Sequence, residues 1–169
     1  NHDVIIGSRD AERAASTAAE YTTQAVEACG QIDGTITGKD NMSVAKESQV
    51  LILSIPYDNI DSTCSQILPE INDECVVVSP IVPMTKTDTG FECVAIKENK
   101  PFSHQTVEKH MKDKTKLVSA FHVISEKKLI NPTLVLDYDI FVAGDSKESV
   151  EVVNGLINEI EGLRPIYLG

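Results

Sequence analysis

No stretch of the chain approaches the roughly 18 consecutive apolar residues that a membrane-spanning helix requires, and no charged-then-apolar leader precedes a cleavage site. Positive charge is scarce: 15 Lys and Arg stand against 26 Asp and Glu, for a formal charge of -11. That balance repels phosphate backbones and anionic lipid, so nucleic acid and membrane surfaces are not expected as partners. The four cysteines, Cys29, Cys64, Cys75 and Cys93, form no Cys-x-x-Cys pair, and none lies beside a His at metal-ligand spacing. Disulfide frameworks belong to small secreted chains, so buried free thiols are expected here, with no metal. These absences lead to a cytoplasmic protein as the expectation.

What is present is ordinary for a globular domain. Apolar residues make up 41% and charged residues 24% of 169, enough chain to bury a real core. Apolar runs alternate with helical patterns. Residues 4–6 read as a strand stopped at Gly7, and residues 11–29 as an Ala- and Glu-rich helix ended by Gly30. Residues 35–37 predict a short strand between Gly34 and Gly38, and residues 43–46 a brief helix capped by Asn41 or Ser43. The run "VLILSI" over 50–55 has the continuous apolar character of a strand covered on both faces. Residues 58–68 predict a helix, 75–78 a second buried strand, and 85–100 a less regular segment. Ser103 is expected to cap a helix carrying "HQTVEKHMKDK". Strand 117–121, helix 126–130 stopped by Asn131-Pro132, strand 139–143, helix 146–160 and strand 164–168 complete the pattern. Strands alternating with helices predict parallel pairing and right-handed crossovers. The expected fold is a Rossmann-like α/β domain, doubly wound, with a mostly parallel sheet in a three-layer sandwich.

Ligands of such sheets bind outside the carboxyl ends of the strands. The first of these ends is "VIIGSRD", where an acidic residue would accept the adenine ribose of NAD. Ser8 stands there instead, with Arg9 beside it and Arg13 one helical turn on. Two guanidinium groups and a hydroxyl at a helix N-terminus suit a phosphate dianion, which implies NADP held through its 2'-phosphate. The competing account is that Asp10 caps the helix and both arginines are merely solvated. The other ends, "SIPY", "SPIVP", "AFHVIS" and "AGD", are stiffened by proline and lined by Ile55, Ile81, Val82 and Ile124. They build an apolar slot suited to ring systems, without a nucleophile–base pair. His122 is the only histidine at a strand end, where a lone His is more often a capping or packing residue than a catalytic one. The lysines and acids between 108 and 116 read as a solvated helix face.

Taken in order, "VIIGSRD", "VLILSIPY", "VVVSPIVP", "VSAFHVIS", "DIFVAGD" and "EIEGLRPI" resemble the F420-dependent NADP reductase family along essentially the whole chain. The resemblance implies an oxidoreductase that transfers a hydride between NADPH and the deazaflavin coenzyme F420. It implies Ser8, Arg9 and Arg13 on the 2'-phosphate, Ile55, Asn59 and Val82 along the NADP, and Pro56 shaping that loop. His122 and Ile124 would lie against the deazaflavin, while Glu126 replaces the small residue expected there. Such a transfer needs no protein acid or base, only two rings stacked about 3–3.5 Å apart in a dry slot. Partners are then small-molecule cofactors, with a homodimer left open. Members begin with a strand and a Gly-rich turn that holds the pyrophosphate, and they continue past "GLRP" into C-terminal helices. Residues 1–169 are therefore expected to be a single NADP-binding domain incomplete at both ends, its missing strand belonging between the second and fourth. Another NADP-dependent oxidoreductase, or a non-catalytic nucleotide-binding protein, are the alternatives.

Overall fold

The computed structural model describes residues 2–94, 102–129, 131 and 134–169. Strand β1 (Val4–Ser8) leads into helix α1 (Ala11–Cys29), which crosses over to strand β2 (Ile36–Asp40). The two strands pair in parallel, Val4 opposite Ile36 and Ser8 opposite Asp40. Gly30, at φ 80, ends α1 and donates its N–H to the Val26 carbonyl. Gly38 lies inside β2 and does not bound it, because α1 sits directly on it. A Cβ there would stand 2.1 Å from the carbonyl carbon of Ala14.

Asp40 ends β2 and caps helix α2 (Asn41–Glu47). Its carboxylate accepts the N–H groups of Met42 and Ser43, each at 3.0 Å, and the Ser43 hydroxyl at 2.6 Å. Asn41 and Ser43 lose the expected capping role because Asp40 satisfies three donors at once. Those bonds hold its carboxyl below the usual range, the Ser43 hydroxyl contributing most.

The chain continues through β3 (Val50–Ile52), α3 (Ile60–Ile67), β4 (Val76–Ser79), β5 (Met84–Thr87) and β6 (Gly90–Cys93). It then forms α4 (Ser103–Glu108), β7 (Leu117–Ser119), α5 (Glu126–Leu129), β8 (Tyr138–Val142), α6 (Lys147–Asn158) and β9 (Leu163–Tyr167). A parallel sheet runs β3-β4-β7, and β8 pairs in parallel with β9. Ser119 and Ala143 exchange backbone hydrogen bonds at 2.8 and 3.0 Å, which stitches the end of β7 to the end of β8.

Alternation along the buried strands sorts the core into two clusters. Val77, Leu117 and Leu53 face α2, α3 and α4, packed with Val44, Ile60, Leu68 and Val107. Val78 and Val118 face α6 and pack with Ile140, Val142, Val153 and Ile157. Helices thus cover both faces, and the α/β three-layer class is as expected. Helix α2 also contacts β1, β2 and α3, and Ile5 of β1 packs on the first cluster. Among the described residues, β1 makes no sheet pairing with β3, so each keeps one unpaired edge. A cavity of about 480 Å³, bounded by His2, Val50, Val76, Val152 and Leu156, opens near their amino ends. His2 and Glu159 meet across its rim at 2.6 Å.

Several expected elements differ. Strand β3 ends at Ile52, because the N–H groups of Ser54 and Ile55 turn back to the carbonyls of Ile52 and Leu53. The irregular segment contains an antiparallel hairpin of β5 and β6, and residues 95–100 of it lie outside the described set. Ser103 is the first residue of a six-residue helix and not its cap. Gln105 Oε1 instead accepts the Phe102 N–H at 2.9 Å. Ile130 and Pro132, expected to end α5, are also outside the described residues. Cys64 and Cys75 are buried, and desolvation pushes both thiols up to about 11. Cys29 and Cys93 are exposed, contrary to the expectation for all four. One lies at the end of α1 and the other in the hairpin, away from either core cluster. No helix among the described residues is long and apolar enough to cross a membrane.

Candidate functional site

Parallel strands bring their carboxyl ends to one edge, and the candidate residues follow those ends. Ser8 closes β1, half-buried, and its Oγ accepts the Asp10 N–H at 3.2 Å. Asp10 caps α1 through Oδ1, which accepts the N–H of Glu12 at 2.9 Å and of Arg13 at 3.2 Å. Arg9 and Arg13 are exposed, and neither guanidinium joins an ion pair among the described residues. A capping Asp10 and arginines open to an anion are therefore compatible. The carboxylate is occupied by backbone donors, and both cations are free for an anion.

The second group belongs to the β3-β4-β7 sheet. Beyond β3, Ile55 is half-buried against the first core cluster, and Pro56 and Asn59 are exposed in the turn that follows. The Asn59 N–H donates to the Pro56 carbonyl at 3.0 Å, fixing that turn. Beyond β4, Ile81 is buried while its neighbour Val82 is 37% exposed, a side chain left available to a ligand. Beyond β7, Ile124 is half-buried on the second cluster and His122 stands at the rim. Partial burial, and secondarily the charge of His104, hold the His122 imidazole below its ordinary pKa, so the neutral ring is favoured. Phe121, immediately before His122, has φ 67, a left-handed conformation costly for a bulky side chain. Its packing on the second cluster holds it there. Glu126 begins α5, but its side chain is outside the described set.

The structure thus groups Ile55, Pro56, Asn59, Val82, His122 and Ile124 on the loops of one sheet. Ser8, Arg9 and Arg13 stand on the β1-β2 pair beside it. Sequence reasoning missed His104, whose Nδ1 lies 2.7 Å from Ser119 Oγ at the end of β7. It also missed that Ser119 is the register partner of Ser79, at the end of β4. The available signal was that two apolar strands, "VVVS" and "LVS", both end in serine.

Residues 1–83 match the family described as NADP oxidoreductase, coenzyme F420-dependent. The whole chain aligns at 34% identity with 74% of an F420-dependent NADP reductase from Methanocaldococcus jannaschii. A second F420-dependent NADP reductase, from Methanothermobacter thermautotrophicus, is 28% identical over 99% of this chain and 70% of its own length. Among solved structures, a protein of Arthrobacter sp. FB24 assigned by name to the F420-dependent NADP reductases superposes with a TM-score of 0.71. It is 15% identical, over 100% of this chain and 74% of that one. A hypothetical protein from Sinorhizobium meliloti gives 0.69 at 19% identity, over 99% and 73%. Those two likenesses speak for the fold.

Proposed function

Because the chain belongs to the family of F420-dependent NADP reductases, we propose that it moves a hydride between NADPH and coenzyme F420 at the carboxyl ends of its parallel strands. It is an oxidoreductase, and the two cofactors, when bound, supply the donor and acceptor of the hydride. The observation that carries the nucleotide half is the pair of unengaged guanidiniums, Arg9 and Arg13, beside Ser8 where an acidic ribose acceptor would otherwise stand.

In this reading Ser8, Arg9 and Arg13 grip the 2'-phosphate. Ile55, Asn59 and Val82 lie along the nucleotide, with Pro56 stiffening the turn that presents them. His122 and Ile124 bear on the acceptor ring, and an uncharged imidazole among apolar side chains fits a planar heterocycle. We assign the chain no proton transfer: its residues orient two rings and keep water away from them. Residues 1–169 act as a single NADP-binding unit. The charge of -11 supports small-molecule partners over nucleic acid or anionic lipid, and a cytoplasmic enzyme is in keeping with the lack of a membrane-crossing helix among the described residues. Exposed Phe141, Ile166, Tyr167 and Leu168 are in keeping with a homodimer.

Loss of deazaflavin absorbance and fluorescence on mixing the purified protein with NADPH and F420 is the expected result. NADPH oxidation by other acceptors alone would assign a different substrate, and tight NADP binding without any turnover would assign a non-catalytic role.

A further inference from the structure

Asp40 takes the capping role at α2 and leaves its neighbour Asn41 without one. Ser8 and Asp40 are register partners on the β1-β2 pair, so Asn41, the next residue, begins at the same carboxyl edge as Ser8. Its side chain lies back over β1. A Cβ on Gly7 would stand 2.8 Å from Asn41 Oδ1 and 3.8 Å from its Cγ, the first of these closer than side chains pack. Gly7 is not among the glycines with positive φ, so the close approach of Asn41 is what calls for a bare backbone there. Asn41 is half-buried, and its carboxamide has no hydrogen-bond partner among the described residues. A carboxamide pinned against a strand gives up part of its hydration, and a glycine inside a strand weakens that strand. Neither feature serves packing.

We propose that Asn41 is a nucleotide-binding residue, its carboxamide hydrogen-bonded to the adenosine 3'-hydroxyl of the ribose whose 2'-phosphate Ser8, Arg9 and Arg13 hold. The proposal rests on the reading of the β1 end as the 2'-phosphate site given above. Three features select the hydroxyl. Gly7, under the carboxamide, is one residue from Ser8, about 3.3 Å along the strand, which is the scale separating neighbouring substituents of one sugar ring. The carboxamide is uncharged, whereas a phosphate dianion is served by the two guanidiniums already beside it. A hydroxyl both donates and accepts, which suits a side chain that does the same. The backbone of α2 plays no part, because the N–H groups of Met42 and Ser43 are taken by the Asp40 carboxylate. Asp40 also accepts the Ser43 hydroxyl, so its oxygens are engaged within the helix end and the ribose is left to Asn41. Lys39, on the other side of Asp40, is paired with Glu47.

The test uses the full chain and measures binding without turnover, so it does not depend on F420 as acceptor. Fluorescence titration with NADPH and NADH compares the parent with Asn41→Ala, Gly7→Ala and the double variant. Asn41→Ala is expected to weaken both nucleotides about 3–10-fold, the scale of one neutral hydrogen bond, because both carry the 3'-hydroxyl. Gly7→Ala, whose methyl would displace the carboxamide, is expected to weaken both to a similar degree with Asn41 still present. In the Asn41→Ala background it should add little, since the obstructed group is gone. A measurement on the parent covers the case in which a variant folds poorly: an NADP analogue lacking the adenosine 3'-hydroxyl should bind about 3–10-fold more weakly than NADP. Affinities unmoved by Asn41→Ala, a loss confined to NADPH, or an analogue bound as tightly as NADP would overturn the proposal. Equal losses of both nucleotides in Arg9→Ala would instead reject the 2'-phosphate reading and leave the hydroxyl contact standing.

Discussion

The nucleotide preference turns on single side chains. Arg9 is exposed and its guanidinium has no partner among the described residues, so its removal should leave the fold untouched and act on ligand alone. Arg9→Ala is expected to weaken NADPH relative to NADH by about 1.5–3 kcal/mol, toward the lower end because the contact is solvated. Fluorescence titration with both nucleotides measures it, and equal losses would reject the 2'-phosphate contact. Arg9 and Arg13 were legible because a strand end and the helix after it are neighbours in sequence. Asp10 was legible for the same reason, and its two backbone bonds confirm the cap. His104 was not: Ser119 is 15 residues away, and only the folding of α4 against β7 brings them to 2.7 Å.

At the scale of elements, strong local signals survived. The helix 11–29 was readable from its composition and from Gly30, whose positive φ a side chain would resist. The buried strand at "VVV" was readable, since a strand covered on both faces needs no alternation. The run "VLIL" was readable as a strand but not as one covered on both faces, because Ile52 is 49% exposed. The hairpin of β5 and β6 was not, because both strands are largely exposed and carry no apolar period. Gly38 misled for a different reason: a glycine was read as a strand boundary, whereas it admits the backbone of α1. Gly38→Ala would press a methyl onto the backbone of Ala14 and Ala15, at 2.1 to 2.4 Å, and should destabilise by about 1–3 kcal/mol. Gly155, in α6, meets nothing within 4 Å, so Gly155→Ala should stabilise by about 0.5–1 kcal/mol. Opposite shifts of the two urea midpoints are expected, and a Gly38→Ala protein as stable as the parent would contradict the close packing.

At the scale of the whole chain, the described residues do not form a continuous sheet from β2 to β9. Among the described residues, β1 and β3 each present one row of amides and carbonyls with no strand beside it, and Val4 and Ile52 are nearly half exposed at 46% and 49%. Such a row is a template on which a strand from a second copy can be laid, and two such rows in one molecule permit growth in two directions. The charge of -11 keeps copies apart in dilute buffer, and added salt removes that repulsion. For residues 1–169 taken alone, light scattering should therefore report slow, concentration-dependent growth in particle mass that quickens as salt is raised. Val4→Lys, a charge set into one of the templates, should suppress it, whereas a particle mass indifferent to both salt and Val4→Lys would mean the edges are shielded. Colloidal stability of residues 1–169 taken alone is then governed less by the core than by two strips of backbone, each a few residues long.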